Sequence, residues 1–134
     1  KNAGKRTDAL VEFVDIYPTL ADLAGLPLPS HLEGSSARPV LDDLKRPWKP
    51  AAFSQYPRGV DGKSLMGYSM RTDRYRFTVW VDRQDHTRVD ARELYDHEND
   101  PQENTNLAQA PAHAELVARL MKQWGAGWQG AVPK

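Results

Sequence analysis

The side chains best placed for chemistry sit in one short stretch, Tyr56-Pro57-Arg58-Gly59-Val60-Asp61-Gly62-Lys63. Glycines flank a guanidinium and an ammonium there, and such a loop can hold an anionic group, with Arg58 bidentate and Lys63 as a point charge. The same spacing also describes an ordinary exposed loop, and spacing alone leaves both readings open. His97, Glu98, Asp100 and Glu103 have the composition of a metal site. However, Asn99-Asp100-Pro101 and Asn104-Thr105-Asn106 are dense in side chains that bond their own backbone, so the cluster reads as a turn. His31, His86 and His113 are scattered. Asp85 adjoins His86 without a nucleophile, and all three read as surface histidines. There is no glycine-rich phosphate loop, no Gly-x-Ser-x-Gly elbow and no His-Glu-x-x-His. No residue is therefore assigned a catalytic or metal-binding role.

Composition narrows the partners. The 134 residues carry 18 basic and 18 acidic side chains, a formal charge of zero, which argues against nucleic acid or an anionic membrane as a broad electrostatic partner. Cysteine is absent, so a disulfide framework, a thiolate metal site and a cysteine nucleophile are all excluded. No apolar run approaches a membrane span. The first residues, Lys-Asn-Ala-Gly-Lys-Arg-Thr-Asp, hold neither an initiating Met nor a hydrophobic leader, and the expectation is a piece of something longer.

The elements that must position Arg58 and Lys63 follow from periodicity. Met66, Tyr68 and Met70 alternate with Gly67, Ser69 and Arg71. After Thr72-Asp73-Arg74, Tyr75, Phe77, Val79 and Val81 alternate with Arg76, Thr78 and Trp80. This predicts a β-hairpin with one apolar face. Arg71, Arg74 and Arg76 fall on its polar side or turn, facing solvent or another domain. Ala51–Tyr56 and Ala91–Asp96 read as further strands, Pro57–Ser64 and Asp82–Asp90 as loops. From Pro111 a stripe of Leu116, Val117, Leu120, Met121 and Trp124 predicts a helix ended by Gly125 and Gly127. Trp80, Trp124 and Trp128 read as core or interface residues.

Upstream, Ala9–Val14 reads as a covered strand, followed by a helix that Asp15 caps, with Pro18 in its first turn. That helix carries Ile16, Leu20, Leu23 and Ala24 on one face and stops at Gly25. Leu26–Pro50, rich in proline, is a connector, with Val40–Leu44 as one helical turn. The expected fold class is α+β: a four-stranded antiparallel sheet packed by a C-terminal helix, preceded by a strand-helix remnant of an α/β domain.

Several stretches, in order, resemble the C-terminal part of the type I sulfatases, nearest the iduronate sulfatase branch of the alkaline phosphatase superfamily. Val11-Glu-Phe-Val-Asp-Ile-Tyr-Pro-Thr-Leu-Ala-Asp-Leu-Ala-Gly25 is similar to the end of their large domain. Ser54-Gln-Tyr-Pro-Arg58, Met66-Gly-Tyr-Ser-Met-Arg-Thr72, Tyr75-Arg-Phe-Thr-Val-Trp80 and Glu93-Leu-Tyr-Asp96 with Asp100-Pro101 are similar to their C-terminal subdomain. The resemblance implies a division into 1–45, the end of the large domain and connector, and 46–134, the subdomain. It also implies a sulfuric ester hydrolase using formylglycine and calcium, both supplied by an N-terminal catalytic domain that is the chain's partner, and export to the periplasm or outside the cell. The formylglycine pattern, Cys or Ser, any residue, Pro or Ala, any residue, Arg, does not occur. Ser35-Ser-Ala-Arg-Pro39 and Ser54-Gln-Tyr-Pro-Arg58 each miss one position, and Asp42-Asp43 lacks the strand that precedes the family's calcium aspartates. The chain alone is thus expected to be inactive, with Arg58 and Lys63 reaching a sulfated saccharide or similar anionic ester at the pocket rim. Two other readings stay open: an independent interaction or carbohydrate-binding module, and the same subdomain of a phosphate or phosphonate ester hydrolase.

Overall fold

The computed structural model describes residues 2–133. Four antiparallel strands, β1 (Ala52–Val60), β2 (Lys63–Arg71), β3 (Tyr75–Asp82) and β4 (Val89–Asp96), form a meander in the order β1-β2-β3-β4. Pairing of Met70 with Phe77, Tyr68 with Val79 and Met66 with Val81 puts the predicted apolar set on one face. Helix α3 (Ala114–Gly125) lies on that face. Phe77, Val79, Val81, Leu94 and Met70 are fully buried, Leu120 from α3 nearly so, and Leu116, Val117, Met121 and Trp124 pack around them. Each large apolar side chain buried this way contributes about 1.5–3 kcal/mol.

The loop expected over Pro57–Ser64 is largely strand. β1 runs on to Val60 and β2 begins at Lys63, leaving a two-residue turn, Asp61-Gly62, with φ of +50° and +75°. That is the geometry whose twist matches a hairpin, and the Asp-Gly pair supplies it at little strain. Pro57 is tolerated because of register. The Phe53 amide points away from β2, donating to Glu12 Oε1 at 2.8 Å. By alternation the missing N–H of Pro57 faces the same outer edge. At the opposite edge Asn106 imitates a strand: its Oδ1 accepts from the Leu94 amide (3.0 Å), its Nδ2 donates to the Arg92 carbonyl (3.1 Å), and the Leu107 amide reaches the Leu94 carbonyl (2.8 Å).

The N-terminal fifty residues depart further from expectation. Ala9–Val14 forms no strand; the chain is extended at Glu12 and turns into a 3-10 helix at Phe13–Asp15. Among the described residues no ladder partner lies alongside, so the apolar run has nothing there to pair with. Helix α1 (Ile16–Leu23) ends as predicted at Gly25, φ +70°, where Leu26 N donates to the Ala21 carbonyl and Gly25 N to the Asp22 carbonyl. Its apolar side, however, faces outward: Ile16, Leu20 and Leu23 are exposed, while Pro18 and Ala21 are buried. A short helix α2 (Arg38–Asp42) lies two residues upstream of the predicted turn.

Asp15 does not cap α1, because the preceding 3-10 turn has already given it helical dihedrals. Its buried carboxylate instead accepts from the Glu12 amide (2.9 Å), the Ser35 amide (2.8 Å) and Lys49 Nζ (2.7 and 2.8 Å). Lys49 also donates to Glu12 Oε2 at 2.6 Å. Gly34 permits this closure, since a Cβ there would stand 1.9 Å from the Val14 carbonyl oxygen. The result is a buried three-charge staple joining the N-terminal segment to β1.

Candidate functional site

Arg58 and Lys63 both stand on the face of the sheet away from α3, two ladder positions apart, because Arg58 pairs with Leu65 and Val60 with Lys63. They diverge from there. The Arg58 guanidinium lies over the Trp80 ring, 4.0 Å from its centroid, a cation–π contact worth about 0.5–1 kcal/mol at an exposed site. Trp80 lies flat because β2 has glycine opposite it: a Cβ on Gly67 would stand 2.7 Å from the ring. Trp80 Nε1 donates to Glu93 Oε1 (2.8 Å), which holds the platform in place. Lys63 pairs with Asp90 at the start of β4, and at 57 % exposure that pair contributes little to stability. The hairpin tip therefore presents two exposed cations, one stacked on indole and one on a carboxylate; an anion can approach either from solvent.

The remainder of this face is polar and concave. A groove of about 540 Å³ is floored by Ser69, Arg71, Arg76, Thr78 and Trp80 and walled by the segment from Leu10 to Phe13. Thr78 donates to Ser69 across the ladder at 3.0 Å. Arg76 Nε reaches Glu103 Oε1 at 3.0 Å, and His97 Nε2 meets the same oxygen. The cluster that has the composition of a metal site is thus used up internally. Asp100 accepts from the Thr105 amide (2.8 Å) and the Asn104 side chain (3.1 Å), bonds that hold its carboxyl below the usual range, backbone contacts leading. Buried Asp96 accepts from both arms of Arg74 (2.8 and 2.6 Å) and from Asn99 Nδ2 (2.8 Å). The Arg74 bond is the main reason its carboxyl is held far below the ordinary carboxylate value.

On the helix side a second cavity of about 550 Å³ opens between the N-terminal segment and the end of α3, lined by Phe53, Tyr68, Trp124 and Trp128 with His86 at its mouth. Trp124 Nε1 donates to the Tyr68 carbonyl at 3.1 Å, and His86 meets Tyr68 edge-on at 5.5 Å. His86 is exposed. Asp42 and Asp43 are exposed, and Asp43 Oδ1 already accepts from the Lys45 amide. Ser54 is an exposed strand residue. Among the described residues no group of three or more His, Cys, Asp or Glu is placed to hold a metal ion. Sequence reasoning missed the Trp80 platform under Arg58 and the Asp90 partner of Lys63. The one available signal was Gly67 opposite an indole in an otherwise regular hairpin.

Comparison with known proteins gives a consistent picture. The family model described as N-sulphoglucosamine sulphohydrolase, C-terminal, matches residues 1–126. Iduronate 2-sulfatase of Mus musculus is 32 % identical over 157 aligned positions, taking in 89 % of this chain and 28 % of that protein. A solved protein in complex with its substrate, D-glucosamine-2-N,6-O-disulfate, superposes with a TM-score of 0.68 at 27 % identity, over 87 % of this chain and 24 % of its own. The phosphonate monoester hydrolase of Agrobacterium radiobacter shares the fold, with a TM-score of 0.75 at 22 % identity over 98 % of this chain and 27 % of its own. The chain spans about a quarter of the length of the curated relatives it matches.

Proposed function

Because the chain belongs to the N-sulphoglucosamine sulphohydrolase C-terminal family, we propose that it is the C-terminal part of a sulfatase, a sulfuric ester hydrolase acting on a sulfated sugar or similar anionic ester. In this reading residues 1–45 close the large α/β domain and 46–134 form the subdomain that buttresses it and shapes the rim of the substrate pocket. Formylglycine and calcium come from the catalytic part of the polypeptide, where a cation beside the sulfur centre offsets charge on the transferring group. The intact enzyme is exported to the periplasm or the outside. Among the described residues no helix is long and apolar enough to cross a membrane.

The observation that carries this reading is the uncovered apolar face of the N-terminal segment. Phe13 is 93 % exposed, and Val11, Ile16, Tyr17, Leu20 and Leu23 are each at least half exposed. Water-facing apolar side chains in such a continuous run mark an interface. Produced alone, the chain should self-associate and release no sulfate, Phe13→Asp with Leu20→Asp should render it monomeric, and the intact polypeptide should hydrolyse a sulfated saccharide. A wild-type chain that is monomeric, beside an intact polypeptide inert toward sulfate esters, would overturn the proposal.

Arg58 and Lys63 are the proposed rim residues for the anionic substrate. Lys63→Ala in the intact enzyme should raise KM for a charged sulfated sugar severalfold and leave KM for a small neutral aryl sulfate nearly unchanged. Asp90→Ala, which frees the ammonium, should lower the former. Equal effects on both substrates count against recognition.

A further inference from the structure

Arg71 is a guanidinium that the described residues do not fully satisfy. Its Nη1 is shielded from solvent and has no acceptor among the described residues. The carboxylates that line the groove are committed, Glu103 to Arg76 and His97, Glu93 to Trp80, and Glu12 to Lys49 and the Phe53 amide, while Asp73 acts on the Arg71 charge without a hydrogen bond to it among the described residues. Directly across the β2–β3 ladder stands Arg76, so two like charges face each other, an arrangement that costs stability. Burial pushes the Arg71 guanidinium below its usual range, and the Arg76 charge adds to the shift. A shielded donor of this kind is expensive unless something supplies the missing oxygen.

The surroundings say what that something is. Arg71 lines the groove of about 540 Å³ on the outer sheet face. Val11, Phe13 and Tyr56 stand on its wall, and Tyr56 is 70 % exposed and Phe13 93 %. A small solvated anion has no use for a wall of bare aromatic rings, whereas a polypeptide segment buries them while delivering an oxygen to the cation. The wall is also continuous with the uncovered face of α1, since Phe13 begins the turn that leads into that helix.

We propose that an acidic side chain from the catalytic part of the same polypeptide enters this groove and takes the Arg71 guanidinium. It forms the charged centre of a docking face whose apolar border is Val11, Phe13 and Tyr56. The proposal rests on the reading that the chain is one part of a larger sulfatase, and it identifies the contact on which the two parts register. An Arg–carboxylate fork fixes orientation as well as distance, which apolar contacts alone do not.

The test compares Arg71→Gln and Arg71→Lys in the chain alone and in the intact polypeptide. In the chain alone the thermal midpoint should stay the same or rise with Arg71→Gln, since no internal bond is lost and an Arg–Arg pair is relieved. In the intact polypeptide amide-exchange protection of Leu10–Phe13 and Ala52–Tyr56 should fall about 30-fold or more, as for truncating one member of a desolvated charge pair. Arg71→Lys should recover only part of it, because an ammonium lacks the fork. A midpoint lowered equally in both settings would assign Arg71 to the internal fold and overturn the proposal. If Phe13→Asp strips the protection while Arg71→Gln leaves it intact, the docking reading stands and the acidic contact falls. If neither variant matters, the docking reading falls with it. Inorganic sulfate that raises the midpoint of the wild-type chain, but not of Arg71→Gln, would make the groove a free-anion site instead.

Discussion

Replacing Lys49 with Met tests how the N-terminal segment is tied to the sheet. The Lys49 side chain is 4 % exposed, those of Asp15 and Glu12 3 % and 13 %. Met keeps most of the volume and removes the charge, leaving two carboxylates in a desolvated site. Breaking a buried ion pair by deleting one partner costs about 3–5 kcal/mol. The lower end applies here, because Asp15 retains the Glu12 and Ser35 amides and Glu12 retains the Phe53 amide. A loss of about 3 kcal/mol corresponds to a fall of about 12 °C in thermal midpoint for a chain of this size. Urea denaturation at neutral pH should give the same loss, and hydrogen exchange should show the Ser35 and Phe53 amides opening first. Adding Glu12→Gln to Lys49→Met returns the site to a single negative charge and should restore at least about 1 kcal/mol, a coupling expected of neighbours. A cost below about 1 kcal/mol for Lys49→Met, or no recovery in the double variant, would refute the staple.

Four further outcomes follow from the structure. Gly67→Ala drives a methyl into the Trp80 ring, which Arg58 and Glu93 hold from the other side, and should cost about 1–3 kcal/mol with a changed near-UV Trp signal. Gly59→Ala, whose Cβ would meet nothing nearer than 4.0 Å, should be close to neutral in the same denaturation assay. Gly34→Ala sets a Cβ 1.9 Å from the Val14 carbonyl oxygen, so the connector must shift; the Ser35 amide should lose its protection along with its bond to Asp15. Asp96 is a case for pH. Its carboxyl is lowered in the folded state, so its stabilisation is present above the unfolded carboxylate range near 4 and is lost as pH falls below it. Wild type should exceed Asp96→Asn in urea midpoint at pH 7, and the gap should close toward pH 2.

What could be read from the residues was the part governed by short periods. The alternation through Met66–Val81 specified the hairpin and its buried face, and the stripe from Leu116 to Trp124 specified the helix that covers it. Both follow from neighbours a few positions apart. One misreading has a plain cause. Ala9–Val14 has the composition of a covered strand, yet like the apolar side of α1 it is not covered within these residues, and composition reports what a surface needs without naming who supplies it. Asp61-Gly62 carried a hairpin-turn signal that the surrounding charges obscured. The Lys49 staple and the Arg58–Trp80 stack bring together residues far apart in sequence, and no local pattern announces such pairs.

The two rims of the sheet are finished differently, and this bears on what a solution of the chain can turn into. Along β4 the Asn106 side chain has already taken up the Leu94 amide and the Arg92 carbonyl, two of the backbone groups that a stranger's strand would use. Along β1 the Glu12 carboxylate holds the outward amide of Phe53, and the proline ring at position 57 offers none. The β1 edge is thus the more open to strand addition, and loosening the N-terminal segment, which frees the Phe53 amide from Glu12, would open it further.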